Sequence, residues 1–342
     1  MQQSLGVFGA CIALLLASAA NAPQRASAGD MDPSLSRLVH AAGDEGCPET
    51  GEATLCPDHG AFEHLVSELA GGLAPPIAAG AATDGARGFY VGLSSTATTL
   101  RGDSRYWARG TRGDDPAQRE NADVAKLLVW NRLDVRKGLP FGLEVGSSVG
   151  FGAETSLWVV SGQLKLALFE GFRSGLGALP DVAIRVVTQH VIGAADLSLQ
   201  TYATDLTVSK PFVLLQEHVL TPLLALQLLF LSAKSGVVDL TPASDAFAAC
   251  APERGAPNGL DLQCTGGSGR VELAENVRFR SVSHTRARLV VGAEERFRLL
   301  SIALTLGFDL TAPGLHADTP SGELPSQLLR QFSLHVAGGL RY

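Results

Sequence analysis

Charged side chains recur at alternate positions of several apolar segments, where residues of one parity share one face of an extended chain. They are Lys126, Arg132, Asp134, Glu144, Lys165, Arg185, Arg286, Arg288, Asp309 and His335. A charge that faces a narrow interior must be hydrated or paired with an opposite charge. Two interpretations therefore fit these residues: a ladder of salt bridges that fills the interior, or a constriction that sorts solutes by charge.

Enzyme chemistry has little support in the sequence. A hydrolase needs a nucleophile, a base and an orienting carboxylate that converge on one point. Ser283 and His284 are adjacent, so an extended chain aims them at opposite faces. His335 has no evident Ser or Asp partner. We therefore expect no enzymatic activity and no cofactor.

The N-terminus has the layout of a secretory signal peptide. An apolar stretch, Leu5–Ala22, precedes the small-residue sequence Ala26–Ala28. This order of an apolar core and a small-x-small cleavage site predicts a signal peptide at residues 1–28. Its removal would also remove Cys11.

Four cysteines then remain, in two sequence-local pairs: Cys47 with Cys56, and Cys250 with Cys264. An even count in an exported protein predicts two disulfides. Zinc is an alternative for the first pair because His59 and His64 follow it closely, although this spacing matches no standard zinc pattern.

From Arg87 onward, apolar residues alternate with small, polar or charged residues. One such segment has Leu300, Ile302, Leu304, Leu306, Phe308 and Leu310 on one face. A β-sandwich would alternate too, but these segments exceed the usual length of about five or six residues. They fit the roughly nine to eleven residues with which tilted strands cross a membrane. With export, this predicts an all-β fold: a transmembrane antiparallel up-and-down β-barrel over residues 87–342.

The connections predict the number of strands. Bacterial barrels have an even number, with short turns in the periplasm and long loops outside. Ten strands place the three longest connections, residues 101–121, 240–275 and 311–326, outside. The short turns Lys137–Pro140 and Gly292–Glu295 then lie on the periplasmic side. Twelve strands result if Lys210–Thr221 forms a strand of its own.

The densest apolar run, Val219–Ala233, is shorter than the roughly twenty residues of a membrane-spanning helix. We interpret it as a strand whose inner face is also apolar because it packs against a plug. Residues 29–86 supply such a segment, with one predicted helix over Phe62–Leu73 that Asp58 can cap and Pro75–Pro76 would end. The segment is either a periplasmic cap or a plug that enters the lumen.

Composition excludes two classes of protein. Hydrophobic residues make up 46% of the chain and charged residues 18%, which is not the composition of a disordered protein. The net charge is −7, which argues against a nucleic-acid partner because phosphate binding relies on Lys and Arg.

The runs Val135–Gly146, Leu179–Arg185 and Asp205–Phe212 resemble uncharacterised Gram-negative outer-membrane β-barrel proteins. The resemblance extends from about Phe62 to Tyr342 and implies the barrel fold and the cell outer membrane, but no activity. Phe332, Leu334 and Tyr342 belong to a C-terminal ending that is similar to the signal read by the barrel-assembly machinery.

These observations favour a passive pore or transporter for a small solute, in contact with outer-membrane lipid. The alternative is a closed structural or surface-display barrel without transport, and an outer-membrane hydrolase is a minor alternative.

Overall fold

Ten long antiparallel strands form the main sheet of the protein. The computed structural model describes residues 29–41, 43, 47, 55–114, 120–170, 179–215, 217–241, 250–252, 262–264, 276–310 and 330–342. The strands are β1 Phe89–Thr99, β2 Leu127–Gly138, β3 Leu143–Gly152, β4 Trp158–Phe169, β5 Asp181–Ile192, β6 Leu197–Ser209, β7 His218–Ser235, β8 Val282–Phe297, β9 Leu300–Asp309 and β10 Phe332–Arg341. The predicted signal peptide, residues 1–28, lies outside the described residues.

The sheet closes on itself as a barrel. Each strand pairs with the next one along the chain, and β10 pairs with β1, where Ser333 lies opposite Thr98 and Arg341 lies opposite Tyr90. Closure leaves no unpaired edge, so the strands satisfy one another's backbone N–H and C=O groups. The predicted all-β, ten-stranded antiparallel barrel is thereby confirmed.

The twelve-strand alternative does not occur. The segment Lys210–Thr221 contains only a short strand, Phe212–Leu215, which pairs with the beginning of β7 and ends there. A strand of 4 residues is shorter than the roughly nine to eleven residues of a strand that crosses a membrane.

The predicted turn at Gly292–Glu295 is wrong. Strand β8 continues through this segment to Phe297, and the chain reverses at Arg298, whose φ is 52°. A glycine followed by two glutamates suggested a turn. Glu294 instead points inward and is buried, because it has basic and hydroxyl partners inside the barrel.

The connections define two ends of the barrel. We call one the short-turn end, to which the described residues 139–142, 170, 179–180, 210–215, 217 and 298–299 and the C-terminal Tyr342 belong. We call the other the long-loop end, to which the described residues 100–114, 120–126, 153–157, 193–196, 236–241, 276–281, 310 and 330–331 belong.

The N-terminal segment runs through the lumen. Helix α1, His59–Gly72, begins at the long-loop end, and the Asp58 carboxylate caps it by accepting a hydrogen bond of 2.8 Å from Ala61 N. We call residues 73–88 the extended segment, since the chain continues without helix from α1 to the short-turn end. There it leads directly into β1.

We call residues 29–57 the N-terminal cap, and its described residues, 29–41, 43, 47 and 55–57, lie at the long-loop end. Two short strands, Val39–Ala41 and Leu55–Pro57, pair within the cap. The predicted disulfide Cys47–Cys56 is present, with Cα atoms 5.5 Å apart. Next to the cap lies helix α2, Arg105–Gly110.

The structure describes only the backbone around the second predicted disulfide. Cys250 and Cys264 face each other in a pair of short antiparallel strands. Their side chains lie outside the described part of the chain, so this pairing stays a prediction.

Alternation separates two chemically different faces of the barrel wall. On β7, the outward Leu224, Leu226 and Leu228 are exposed, whereas the inward Leu223 and Leu229 are buried. Leu229 packs in a cluster with Ala74 of the extended segment, which accounts for the apolar inner face of this strand.

Among the described helices, none is both long enough and apolar enough to cross a membrane.

Candidate functional site

The half of the lumen near the long-loop end contains a large apolar cluster, beside buried polar side chains such as Glu68 and Asp309. Helix α1 packs Phe62, Leu65 and Leu69 into this cluster with side chains from the wall, the long loops and the N-terminal cap. The other members of the cluster include Leu35, Leu38, Trp107, Trp130, Leu157, Leu199, Leu231, Val238 and Phe279. Side chains packed in this way hold α1 inside the barrel.

The wall of the barrel caps the C-terminal end of α1. Arg132 Nη2 donates a hydrogen bond of 2.9 Å to Leu73 O, and Gln189 Nε2 donates one of 2.7 Å to the same carbonyl oxygen. Arg132 Nη1 also donates to Gln189 Oε1 over 2.7 Å. The last carbonyls of a helix carry partial negative charge, so a guanidinium stabilises them. Arg132 therefore holds the plug helix in place.

Beyond α1, the wall holds the backbone of the extended segment. The donors to its carbonyl oxygens are Gln227 to Pro75 at 2.9 Å, Arg185 to Pro76 at 2.8 Å, and Lys165 to Gly80 at 3.4 Å and Ala82 at 3.1 Å. The acceptors from its amides are Glu294 from Gly80 at 3.1 Å and Ser209 from Ala81 at 2.8 Å. These hydrogen bonds use backbone groups of the extended segment, so they attach the segment to the wall even though its side chains are small.

Glu144 lies at the centre of a buried charge cluster near the short-turn end. Its Oε1 is 3.2 Å from Lys165 Nζ and 3.9 Å from Arg136 Nη1. Its other oxygen accepts a hydrogen bond of 3.3 Å from Asp84 N in the extended segment. Arg136 also lies over the Tyr90 ring, 4.0 Å from its centroid. Wall and plug thus share this carboxylate.

Two further buried ion-pair groups cross neighbouring strands. Arg185 Nε donates to Asp205 Oδ2 over 2.6 Å. Asp309 pairs with two arginines: its Oδ2 lies 3.1 Å from Arg286 Nη1 and its Oδ1 lies 2.9 Å from Arg288 Nε. Opposite charges that are buried together this closely offset part of each other's desolvation cost. The arrangement corresponds to a salt-bridged interior.

A small cavity remains between the extended segment and strands β1–β6. Its volume is ≈ 40 Å³, and its lining includes Ile77, Arg132, Asp134, Ser148 and Gln163. A buried water needs about 10–15 Å³ on this measure, so the cavity has room for about three waters. Asp134 accepts a hydrogen bond of 2.7 Å from Ser94 at this level.

His335 lies in the buried part of β10. Its Nδ1 is 2.9 Å from Thr96 Oγ1 on β1. The contact pairs an imidazole with a hydroxyl and includes no carboxylate, so it lacks the base–carboxylate pair of a hydrolytic triad.

Lys126 is the one predicted lumen residue that the structure places elsewhere. Strand β2 begins only at Leu127, so Lys126 belongs to the long-loop end. Its Nζ is 3.2 Å from Asp103 Oδ1, and both side chains are 77% exposed. Parity assigned Lys126 to the inside, but parity holds only within the hydrogen-bonded ladder.

Several lumen residues were not found from the sequence, although they share the parity of residues that were. Arg136 follows Arg132 and Asp134 on the inner face of β2, and Glu294 follows Arg288 on that of β8. The other missed members are Tyr90, Asp205 and Arg341, and Arg341 pairs with both Glu294 and Asp84. Continuing each alternation to the end of its strand would have found them.

The C-terminal residues assigned to the assembly signal lie on the outside of the barrel. Phe332 and Leu334 are exposed on β10, and Tyr342 follows the strand and packs against Phe89, with ring centroids 5.6 Å apart. Their role in assembly stays a prediction.

The zinc alternative for Cys47 and Cys56 is wrong, because the two sulfurs are joined in a disulfide. His59 Nδ1 accepts a hydrogen bond of 3.3 Å from Arg280 N, and the His64 ring packs on Tyr106. Within the described residues, no group of three or more His, Cys, Asp and Glu side chains has the arrangement of a metal site.

A carboxyl group of the cap, that of Asp30, meets that of Asp114 at the long-loop end. A hydrogen bond with the Asp114 carboxyl, together with desolvation and the repulsion of nearby acidic groups, raises the pKa of Asp30 to about 6. Two carboxylates this close resist simultaneous ionisation, so one retains its proton into mildly acidic conditions.

Comparison with known proteins finds only distant structural similarity. No protein-family model and no curated protein sequence matches the chain. Among solved structures, the attachment invasion locus protein Ail of Yersinia pestis aligns at 10% identity with a TM-score of 0.25, over 75% of this chain and 98% of that chain. The translocator domain of autotransporter NalP from Neisseria meningitidis aligns at 9% identity with a TM-score of 0.27, over 75% and 89%. Similarity at this level carries no argument about fold or activity.

Proposed function

We propose that this chain is an outer-membrane β-barrel that is closed by its own N-terminal segment and has a structural or surface-display role. The membrane location is supported by the outward face of the barrel, where Leu93, Leu164 and Leu304 are 50–52% exposed. Exposing apolar surface to water costs about 25 cal/mol per Å². Lipid around the barrel would remove this cost.

Aromatic side chains support the same location. They pair at both ends of the apolar face: Phe89 with Tyr342 at the short-turn end, and Phe308 with Phe332 at the long-loop end. Aromatic girdles at the two membrane interfaces are typical of outer-membrane barrels. By the usual orientation of such barrels, the short-turn end faces the periplasm. The expected partners are then outer-membrane lipid and the barrel-assembly machinery.

The closed state rests on one observation: residues 59–88 fill the lumen along its length. Helix α1 contributes an apolar core, and the extended segment is hydrogen-bonded to the wall at Pro75, Pro76, Gly80 and Ala82. Withdrawing the segment would expose the apolar cluster around α1 to water, which is costly. We expect the lumen to stay filled, and we expect no enzymatic activity and no cofactor.

Planar-bilayer recording tests closure. The refolded full-length barrel is expected to show no steady conductance, whereas a variant that lacks residues 29–86 is expected to conduct. Heat-modifiable migration on gels serves as the control that both proteins have formed barrels. Steady conductance of the full-length protein, equal to that of the deletion variant, would contradict the closed-barrel proposal.

A passive route for a small solute is the second candidate function. It is favoured by the charged wall around the extended segment, where Arg132, Arg136, Lys165 and Arg185 line the small cavity. If the extended segment left the lumen, these side chains would line a polar route that favours anions. Liposome swelling with sugars and organic anions of graded size separates the candidates, because only the passive route predicts swelling with the full-length protein.

A further inference from the structure

The path of the N-terminal segment sets the sides on which the two chain termini lie. An even number of strands brings the chain back to the end from which it started. The barrel has ten strands, yet the chain makes one additional pass through the lumen before β1. This eleventh pass places the N-terminal cap and Tyr342 at opposite ends of the barrel.

Contacts along the lumen fix the direction of this pass. Phe62 stacks on Phe279 of the long-loop end, with ring centroids 4.9 Å apart. Leu73 is held by Gln189, and Pro76 by Arg185, which lies closer to the start of β5 at the short-turn end. Residues further along the segment therefore contact the wall progressively closer to the short-turn end.

The pass ends at the short-turn end. Lys137 Nζ donates hydrogen bonds of 3.2 Å to both Ala86 O and Gly88 O. Gly138 N donates one of 3.1 Å to Gly88 O. Because Lys137 and Gly138 form the end of β2 at the short-turn end, the segment has crossed the whole barrel when it enters β1.

The N-terminal cap is docked onto the long loops. Asp32 accepts hydrogen bonds of 2.7 Å from Thr155 Oγ1, Ser156 N and Ser156 Oγ. Arg37 Nη1 donates to the carbonyl oxygens of Thr111 and Arg112 over 3.2 Å and 2.7 Å. Cap and loops thus form one continuous surface.

We propose that the barrel presents its own N-terminal residues, 29–57, on the outer surface of the cell together with the long loops. Residues 59–88 are then the part of the chain that crosses the membrane plane inside the lumen. The inference rests on the proposed outer-membrane location and adds to it that residues 29–57 are displayed. The disulfide Cys47–Cys56 would stabilise the displayed residues without help from the barrel.

Epitope accessibility on intact cells tests the display of the cap. Three versions of the full-length chain each carry one epitope: between Ala28 and Gly29, in the connection between residues 310 and 330, or in the turn at Arg298–Leu299. Antibody binding is compared before and after permeabilisation of the outer membrane. We expect the first two epitopes to bind antibody equally on intact cells. Binding to the third should be lost unless the membrane is permeabilised.

Each other outcome overturns a specific statement. An accessible 310–330 epitope with a hidden N-terminal epitope overturns display of the cap and leaves the closed barrel standing. Three hidden epitopes overturn the outer-membrane proposal itself, and an accessible turn epitope reverses the orientation. If the N-terminal epitope prevents assembly, labelling of Ser36→Cys by a membrane-impermeant maleimide replaces it, with the unsubstituted chain as background. Failure of Ser36→Cys to label on intact cells overturns display.

Discussion

Truncation of Leu65 tests whether apolar packing of α1 keeps the lumen closed. Leu65 is fully buried in the cluster that joins α1, the long loops and the N-terminal cap. We expect Leu65→Ala to weaken the docking of α1, because the shorter side chain leaves a cavity among neighbours that cannot fully collapse around it.

The size of the effect follows from this burial. Leucine-to-alanine changes at fully buried sites cost about 2–5 kcal/mol. Since about 1.4 kcal/mol corresponds to a factor of ten, the population of the undocked helix should rise by about 30-fold to about 4,000-fold. The backbone hydrogen bonds between the strands of the wall do not involve Leu65, so we expect the barrel to stay assembled.

Amide hydrogen exchange of α1, measured by mass spectrometry on the full-length barrel, reports this population. The matched control is Leu226→Ala, which makes the same truncation on the outward face of β7, where Leu226 is 43% exposed. We expect faster exchange of α1 in Leu65→Ala alone. Unchanged exchange in Leu65→Ala, or equal acceleration in the control, would refute the view that this packing holds the plug.

Three further predictions concern charge and lipid contact. Glu144→Gln leaves Lys165 buried beside an uncharged group, so it should lower the free energy of unfolding, measured in urea, by about 3–5 kcal/mol. The matched control is Glu217→Gln at an exposed ion pair, which should produce no measurable change. Leu226→Arg places a charge within the apolar band and should destabilise the lipid-embedded barrel by about 2–4 kcal/mol; Leu340→Arg, near the short-turn end, should cost about 0–1 kcal/mol. The raised pKa of Asp30, about 6, means that the folded cap binds this proton more tightly than the unfolded chain does. The resulting stabilisation of the cap is fully present below about pH 4 and is lost as the pH rises through 6. Limited proteolysis of residues 29–57 should therefore be faster at pH 7.5 than at pH 4.5. The intrinsic protease rate at each pH is normalised on a denatured substrate.

Much of the barrel could be predicted from local patterns. Side chains alternate across an extended chain, so the outward Leu300, Leu304 and Phe308 of β9 identify a strand with an apolar outer face without any knowledge of its neighbours. Helical spacing after Asp58 identified α1 in the same way. Such inferences succeed because they depend only on the residues of one segment.

Where a strand begins or ends depends on its neighbours. Lys126 has the parity of the lumen face, yet the ladder between β1 and β2 starts one residue later. Gly292–Glu295 has the composition of a turn, yet this part of β8 pairs with β7 and β9 on either side. Hydrogen bonds to adjacent strands outweigh local turn preference here.

The amino-acid sequence alone is sufficient for the alternation, the approximate strand count and the presence of charges on the inner face. It does not reveal that Glu144 pairs with Lys165, that Asp309 serves two arginines, or that α1 enters the lumen from the long-loop end. The ion pairs arise from the register between neighbouring strands, and the position of α1 arises from contacts between residues more than two hundred positions apart, such as His59 and Arg280. Periodicity describes one segment at a time, whereas pairing and direction are properties of the closed barrel.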